Sequence, residues 1–355
     1  MNDIHTIALA QLNQSRNERV MKKANATMMK YINLNNVREV MQQIETATKP
    51  QLALLTNLSV VTINALIQEL CDGGELFQDK VVPSNGGRPA QAYRYNYNFK
   101  LALVLYIKEM KGQELISATV MNLENKVVLK EERILPAFDK QHMLQLIARF
   151  IKEYPSIDMI GIGIPGQAVD GDITVSSHEE LIHSHLIREI ESEFQLNVLV
   201  ENDVNAAISG YCTQHADMKE RSVAGIYFPN RYPPGMGMML NGQMIRGKNG
   251  MFGEIKYLPY SPDWHRDMSK DDFVVNVCHI LQTINAVVAP HQIVIYQERV
   301  EREELDLAWK QYGKDHPMPS LPEIVHQDSF QHDFDAGLRG MVLQALKSGI
   351  LSEAL

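Results

Sequence analysis

Cysteine is scarce in this chain, and the three that occur among 355 residues, Cys71, Cys212 and Cys278, lie far apart. No C-x-x-C pair exists, so neither a disulfide framework nor a zinc site is signalled, and the thiols are expected to serve as small buried hydrophobes. Long apolar runs are also missing. Nothing approaches the roughly 20 residues that span a bilayer, and the first residues carry no apolar signal-peptide region. A cytoplasmic chain with no membrane partner is the expectation. There is no surplus of basic residues either: the net charge is −9, with 45% hydrophobic and 22% charged residues, an ordinary globular balance.

The charge is unevenly spread. Residues 1–95 hold 10 Lys/Arg against 8 Asp/Glu, leaving 24 against 35 for the rest, and residues 15–50 alone hold seven basic and three acidic groups. Mild positive charge on one part permits phosphate contacts without proving them. Residues 1–35 carry a helical pattern with Arg16, Arg19, Lys22, Lys23 and Lys30 on its polar side. A helix is then expected over Asn36 to Thr46, a short one over Gln51 to Thr56 with Pro50 in its first turn, and a third from Val60 to Asp72 capped by Ser59 and stopped by Gly73-Gly74. Short helix, tight turn and longer helix make a helix-turn-helix, which turns Val60, Thr62, Ile63 and Asn64 toward a major groove. Strands over Glu75 to Val82 and Ala92 to Tyr97 flank Pro83 to Ala90 as a wing. The narrow Gly86-Gly-Arg-Pro89 strip suits Arg88 to a minor groove, although a plain loop with one solvated arginine has the same sequence.

The rest of the chain is organised around Leu199 to Glu254. Asn197 to Val200 reads as a buried strand, and Ala206, Ala207, Ser209 and Gly210 as a tightly packed helix. Asn202 and Asp203 thus sit at a strand's carboxyl end, where open α/β sheets bind ligands. A carboxylate beside an amide matches the donors and acceptors of a polyol, and is equally an Asx turn from strand to helix. A hairpin follows, turned at Asn241-Gly242, and runs into Lys248 to Glu254. The order Glu-Asn-Asp-x-Asn-Ala-Ala, hairpin, Arg-Gly-x-x-Gly-x-x-Gly-Glu resembles the ROK family, the repressors and sugar kinases of the actin-like ATPase superfamily. The resemblance implies a sugar site with Asn202, Asp203 and Glu254 on the hydroxyls and Asp203 at the position that serves as catalytic base in kinase members. It also sets Gly166, at the end of Gly161-Ile-Gly-Ile-Pro-Gly166, on one wall of the cleft and His178 near a closing loop.

The head resembles the same family's repressors through Leu58-Ser-Val-Val-Thr-Ile-Asn-Ala-Leu-Ile-Gln-Glu-Leu70 and Gly86-Gly-Arg-Pro-Ala90. On that resemblance the DNA-facing set is Lys49, Ser59, Val60, Thr62, Asn64 and Arg88. Lys49 stands close to where the family carries Ser-Arg and takes over a phosphate contact.

Three phosphate grips of the kinase members are not found. The first falls in Tyr106 to Gln113, which reads Tyr-Ile-Lys-Glu-Met-Lys-Gly-Gln. The second falls in Asn230 to Gly237, where two prolines remove two donors. The third should follow Ile293 to Ile295 and reads Tyr296-Gln-Glu-Arg299, whose Glu298 repels polyphosphate. Phosphoryl transfer depends on positioning and charge neutralisation, so a chain without those grips is expected to be no enzyme, with no cofactor. The family's His and Cys-x-Cys zinc cluster is also lacking. Tyr257 stands in place of the histidine, offering a hydroxyl or a stacking face to a sugar. His326, Asp328, His332 and Asp333 fit no ligand spacing and read as a polar loop.

The expected fold is α/β: an N-terminal extension (1–35), a winged helix-turn-helix (36–97) and an actin-like, ribonuclease H-like sugar-kinase fold in two lobes (98–355). The expected function is a sugar-responsive regulator, a repressor of carbohydrate genes, with operator DNA and a sugar or sugar phosphate effector as partners, acting as a homodimer or homotetramer. A sugar kinase with an accessory DNA-binding head is the alternative.

Overall fold

The computed structural model describes residues 27–83, 89–110, 113–135, 139–169, 172–176, 179–218, 220–230 and 232–352. Arg88, His178 and the basic stretch before residue 27 lie outside them. The chain divides into two compact units, 1–99 with 347–355, and 100–346.

In the first unit, residues 27–44 form one helix (α1), so the helix read from Asn36 already runs through residues 27–35. Strand β1 (Thr46–Thr48), helices α2 (Lys49–Thr56) and α3 (Val60–Asp72), and strands β2 (Leu76–Val82) and β3 (Ala90–Tyr95) follow, with the sheet ordered β1-β3-β2. Thr48 and Gln51 form a reciprocal capping box at the start of α2, which satisfies donors left orphaned in its first turn. Asn57 ends α2 in the left-handed region, and Ser59 caps α3 by accepting from the Thr62 N–H. The chain turns by 112° between the two helices, within the range of about 90–120° for a helix-turn-helix. The core comes from one face of α1 (Leu34, Val37, Met41) and one of α3 (Ile63, Leu66, Ile67, Leu70). Arg38 of α1 grips Glu75 bidentately at 2.8 and 2.6 Å.

The second unit is built twice on one plan. Strands β4 (Leu101–Met110), β5 (Gln113–Asn122) and β6 (Val127–Leu135) form an antiparallel meander. Helix α4 (Lys140–Glu153), strand β7 (Ile157–Ile164), the small hairpin β8 (Gly166–Val169) and β9 (Asp172–Ser176), helix α5 (Leu186–Phe194), strand β10 (Asn197–Asn202) and helix α6 (Asp203–Gln214) complete the first half. The second half runs β11 (Val223–Tyr227), β12 (Gly235–Leu240), β13 (Gln243–Met244), α7 (Lys270–Val288), β14 (Gln292–Tyr296), α8 (Arg302–Asp315), β15 (Glu323–His326) and α9 (Phe330–Ser352). The sheet orders β6-β5-β4-β7-β10 and β13-β12-β11-β14-β15 are the same, with three antiparallel strands and then two parallel ones. Alternating strands and helices predict parallel pairing of this kind, because a parallel crossover needs a helix-length connection.

Each half lends a helix to the other. α6, which follows the first sheet, packs Ile208 on Gly225 of β11, while Phe334, Leu338 and Val342 of α9 lie on β7 of the first. The two helices cross where glycines meet: a Cβ on Gly337 would lie 1.8 Å from the Ala206 carbonyl oxygen, and one on Gly210 would lie 2.0 Å from that of Asp333. No side chain fits at either position.

The stretch read as a polar loop is ordered differently. His326 ends β15 and bonds Asp306 at 2.9 Å, and Asp333 is buried in α9, accepting from Tyr296 Oη at 2.9 Å and Gln214 Nε2 at 3.0 Å. Polarity suggested exposure, but partners distant in sequence satisfy the carboxylate. Cys212 and Cys278 are buried, with burial pushing the thiols up to about 12 and 11, whereas Cys71 is only half-buried.

Candidate functional site

A cleft of about 1120 Å³ opens in the second unit, and Gly166, Asn202, Asp203, Glu254 and Tyr257 all lie on its wall. They come from three separate stretches, each placed by local chemistry. Asn202 is the N-cap of α6: its Oδ1 accepts from the N–H groups of Val204 at 2.9 Å and Asn205 at 3.0 Å, and its Nδ2 donates to the Gly166 carbonyl at 3.0 Å. The amide is therefore spent mostly on the backbone, and the Asx-turn reading holds together with the site. The same side chain also hydrogen-bonds the Asp203 carboxyl. Asp203 is half-buried, with Oδ1 accepting from Val204 N–H at 2.9 Å. Burial, with the Glu254 charge adding to it, pushes this carboxyl up to about 7 against the pull of its backbone hydrogen bonds. At neutral pH such a group both donates to and accepts from hydroxyls.

Glu254 reaches the cleft on a glycine spiral. Gly247, Gly250 and Gly253 take φ of +65°, +74° and +83°, a region costly for side-chain-bearing residues. Their spacing of three turns the loop back so that Gly253 lies against the Met236 carbonyl, where a Cβ would stand 1.9 Å away. Glu254 is then paired with Lys256 at 2.9 Å, and Tyr257 is 68% exposed beside it. The spiral's entry is anchored by a pair to which the sequence reading assigned no role. Glu201, 6% exposed, accepts from Asn202 N–H at 3.0 Å and Asn205 Nδ2 at 3.1 Å and pairs with Arg246 at 2.5 Å. Both residues stand inside the quoted motifs, which was the available signal.

The far end of the cleft holds the three turns in question. β4 does not stop at Tyr106 but stays paired with β5 to Met110, so its backbone groups there belong to a ladder. Lys108 is paired with Glu132 at 2.7 Å. At the second turn, Arg299 donates to the carbonyls of Pro229 and Asn230 at 3.0 and 3.2 Å. At the third, Gln297 Oε1 accepts from the N–H groups of Arg299 and Val300 at 2.8 and 3.0 Å. Phe330 stacks on Tyr227 with ring centroids 3.7 Å apart, and Phe334 lies 4.9 Å from Tyr106. The β4–β5 ladder thus takes up backbone groups at the first turn and Gln297 two backbone donors at the third, where a polyphosphate would need free donors, while Arg299 ties down the second through its carbonyls.

In the head, Val60 and Val61 are 49% and 79% exposed, and Asn64 is exposed on the same helix. Ile63 is fully buried in the core, because α3 turns its 63-66-67-70 face inward, which corrects its assignment to the groove-facing side. Ser59 and Thr62 tie their hydroxyls together at 2.9 Å. Lys49 extends over the Tyr93 ring, 5.4 Å from its centroid. No Lys or Arg occurs from Pro50 to Asp79, so α3 offers no cation of its own.

The second unit is an α/β fold with a cleft lined by carboxylates and an amide, and in sequence comparison residues 110–279 match the ROK family. Over 248 residues the chain is 24% identical to the xylose repressor of Bacillus subtilis (strain 168), a region that is 67% of this chain and 63% of that repressor. Over 300 residues it is 24% identical to the DNA-binding transcriptional dual regulator NagC of Escherichia coli (strain K12), covering 78% of this chain and 69% of the regulator. Among solved structures, a ROK family transcriptional regulator described as a homolog of the E. coli MLC protein superposes with a TM-score of 0.60 at 18% identity. That match covers 92% of this chain and 98% of the other, and the two share a fold. No single helix among the described residues is long and apolar enough to cross a membrane.

Proposed function

We propose that this protein is a sugar-responsive DNA-binding regulator, acting as a repressor, whose kinase-like cleft senses its ligand without transferring phosphate. The reading is carried by the contrast between the two ends of the cleft. One end gathers Asn202, Asp203 and Glu254 around space for hydroxyls, while the other has its turns engaged by Arg299, Gln297 and the β4–β5 ladder. The repressor names of its relatives and the 112° helix-turn-helix support the DNA-binding half. Asn64 suits an adenine edge, Val60 and Val61 suit thymine methyls, and Lys49, Lys80 and Arg94 are cations on hand for phosphates. Ser59 and Thr62 shape the entry of α3, and Arg88, outside the described residues, is assigned to the DNA on the sequence resemblance alone. A homodimer or homotetramer reading a palindromic operator in the cytoplasm completes the proposal. The effector need only bind one conformational state better than another to shift DNA affinity.

A second reading, sugar kinase, is favoured by one feature: Asp203 lies on the cleft wall with burial pushing its carboxyl up to about 7, which suits general-base work. Thermal stability of the full chain with ATP–Mg and with sugars separates the two. A ligand at 100 times its Kd adds about 2.7 kcal/mol to the folded state. Stabilisation by sugars but not ATP, together with sugar-dependent retention of operator fragments, is expected. Stabilisation by ATP with sugar-dependent ATP consumption would overturn the sensor.

A further inference from the structure

The cleft is larger than one sugar ring requires. Pockets of about 300–1,000 Å³ enclose drug-sized ligands, and this one measures about 1120 Å³, continuing past Asp203 and Glu254 to Tyr227, Glu298, Phe330 and Gln331. The chemistry of that second end is that of a carbohydrate site. Gln331 has a buried amide nitrogen with no hydrogen-bond partner among the described residues. Gln331 itself is part of the cleft lining. Phe330, stacked on Tyr227, supplies an apolar wall next to it, and Glu298 supplies an acceptor.

Charge excludes one class of ligand. The described lining carries five carboxylates, Asp203, Glu254, Asp263, Glu298 and Asp328, against two ammonium groups. Both ammoniums are already paired, Lys108 with Glu132 and Lys256 with Glu254, while Asp263 and Asp328 are held by Arg266 and Arg302. A phosphate brought here finds no unpaired ammonium group among the described lining and meets the Glu298 carboxylate in a partly desolvated site. We infer that the cleft takes an unphosphorylated carbohydrate of at least two rings, one ring on Asn202, Asp203 and Glu254 and the second against Phe330 and Gln331. The inference rests on the sugar-sensor reading and gives its ligand a size and a charge.

Isothermal titration of the full chain tests it, with maltose, cellobiose, sucrose and diacetylchitobiose beside glucose, fructose, N-acetylglucosamine and the 6-phosphates of those monosaccharides. One disaccharide is expected to bind at least about tenfold more tightly than its component sugars, a difference of about one or two added hydrogen bonds. Gln331→Leu should remove most of that advantage and leave monosaccharide binding unchanged, and Asp203→Ala should remove both. A monosaccharide or 6-phosphate binding as tightly as every disaccharide, or a Gln331→Leu protein that keeps the full advantage, overturns the inference and leaves the sensor standing. No binding of any carbohydrate overturns the sensor reading itself, and the inference with it.

Discussion

Asp203→Asn should make the folded protein more stable while blinding its cleft, and the gain should depend on pH. In the unfolded chain the carboxyl ionises near its ordinary 3.8, whereas in the folded chain burial holds the proton to about 7. Between those values the folded state binds the extra proton, so wild-type stability falls as pH rises through that window and stays low above it. The rise corresponds, at about 1.4 kcal/mol per pH unit, to at most about 4 kcal/mol. The carboxyl keeps one edge on the cleft, where solvent screens it, so about 2 kcal/mol is the expected gain for the asparagine variant at pH 8. Below about pH 3 the gain should vanish, because the wild-type group is then neutral in both states. Asparagine keeps the Oδ1 that accepts from Val204 N–H, so the start of α6 is preserved. Urea unfolding followed by tryptophan fluorescence reads this unit alone, since the two tryptophans, Trp264 and Trp309, both belong to the core of the second sheet. A variant that is less stable than wild type at pH 8, or a difference that is the same at pH 4 and pH 8, would refute the assignment of a costly buried carboxylate.

The helix crossing makes a sharper demand: Gly337→Ala sets a methyl 1.8 Å from the Ala206 carbonyl, and overpacking of that kind should cost at least about 1–3 kcal/mol in the same urea assay. An unchanged midpoint would mean the helices separate without loss. Arg246→Ala leaves Glu201 buried with a charge unpaired, so it should destabilise the unit by about 1–3 kcal/mol and weaken sugar binding, as read by urea titration and calorimetry. Glu201→Gln, which removes the charge, should restore part of the stability in the double variant. In the head, Asn64→Ala should cost about 1–3 kcal/mol of operator affinity and relax the preference at one base pair, measured by fluorescence anisotropy on single-position variants. Uniform weakening on all sequences would instead assign Asn64 to the backbone.

Much of the candidate site was legible because its determinants are local. The positive φ of Gly247, Gly250 and Gly253 is a property that glycine alone takes without strain, and Asn241-Gly242 turns its hairpin with φ of +50° and +77°. Caps at Thr48, Ser59 and Asn202 sit within three residues of the N–H groups they satisfy. Misreadings arose where polarity or periodicity was judged without knowing the neighbour. Sequence alone points Ile63 at DNA, whereas packing turns that face of α3 inward, and polarity places Asp333 in a loop, whereas Tyr296 and Gln214 hold it buried in α9.

Residue chemistry along the chain therefore decided the helices of the head, the hairpin, the glycine spiral and the loss of glycine turns, since each depends on groups a few bonds apart. The pairing of Glu201 with Arg246, the stacking of Phe330 on Tyr227 and the exchange of α6 and α9 between the two halves were decided only by tertiary structure. Those contacts join segments far apart in sequence, and packing of whole sheets, which no local pattern encodes, brings them within reach.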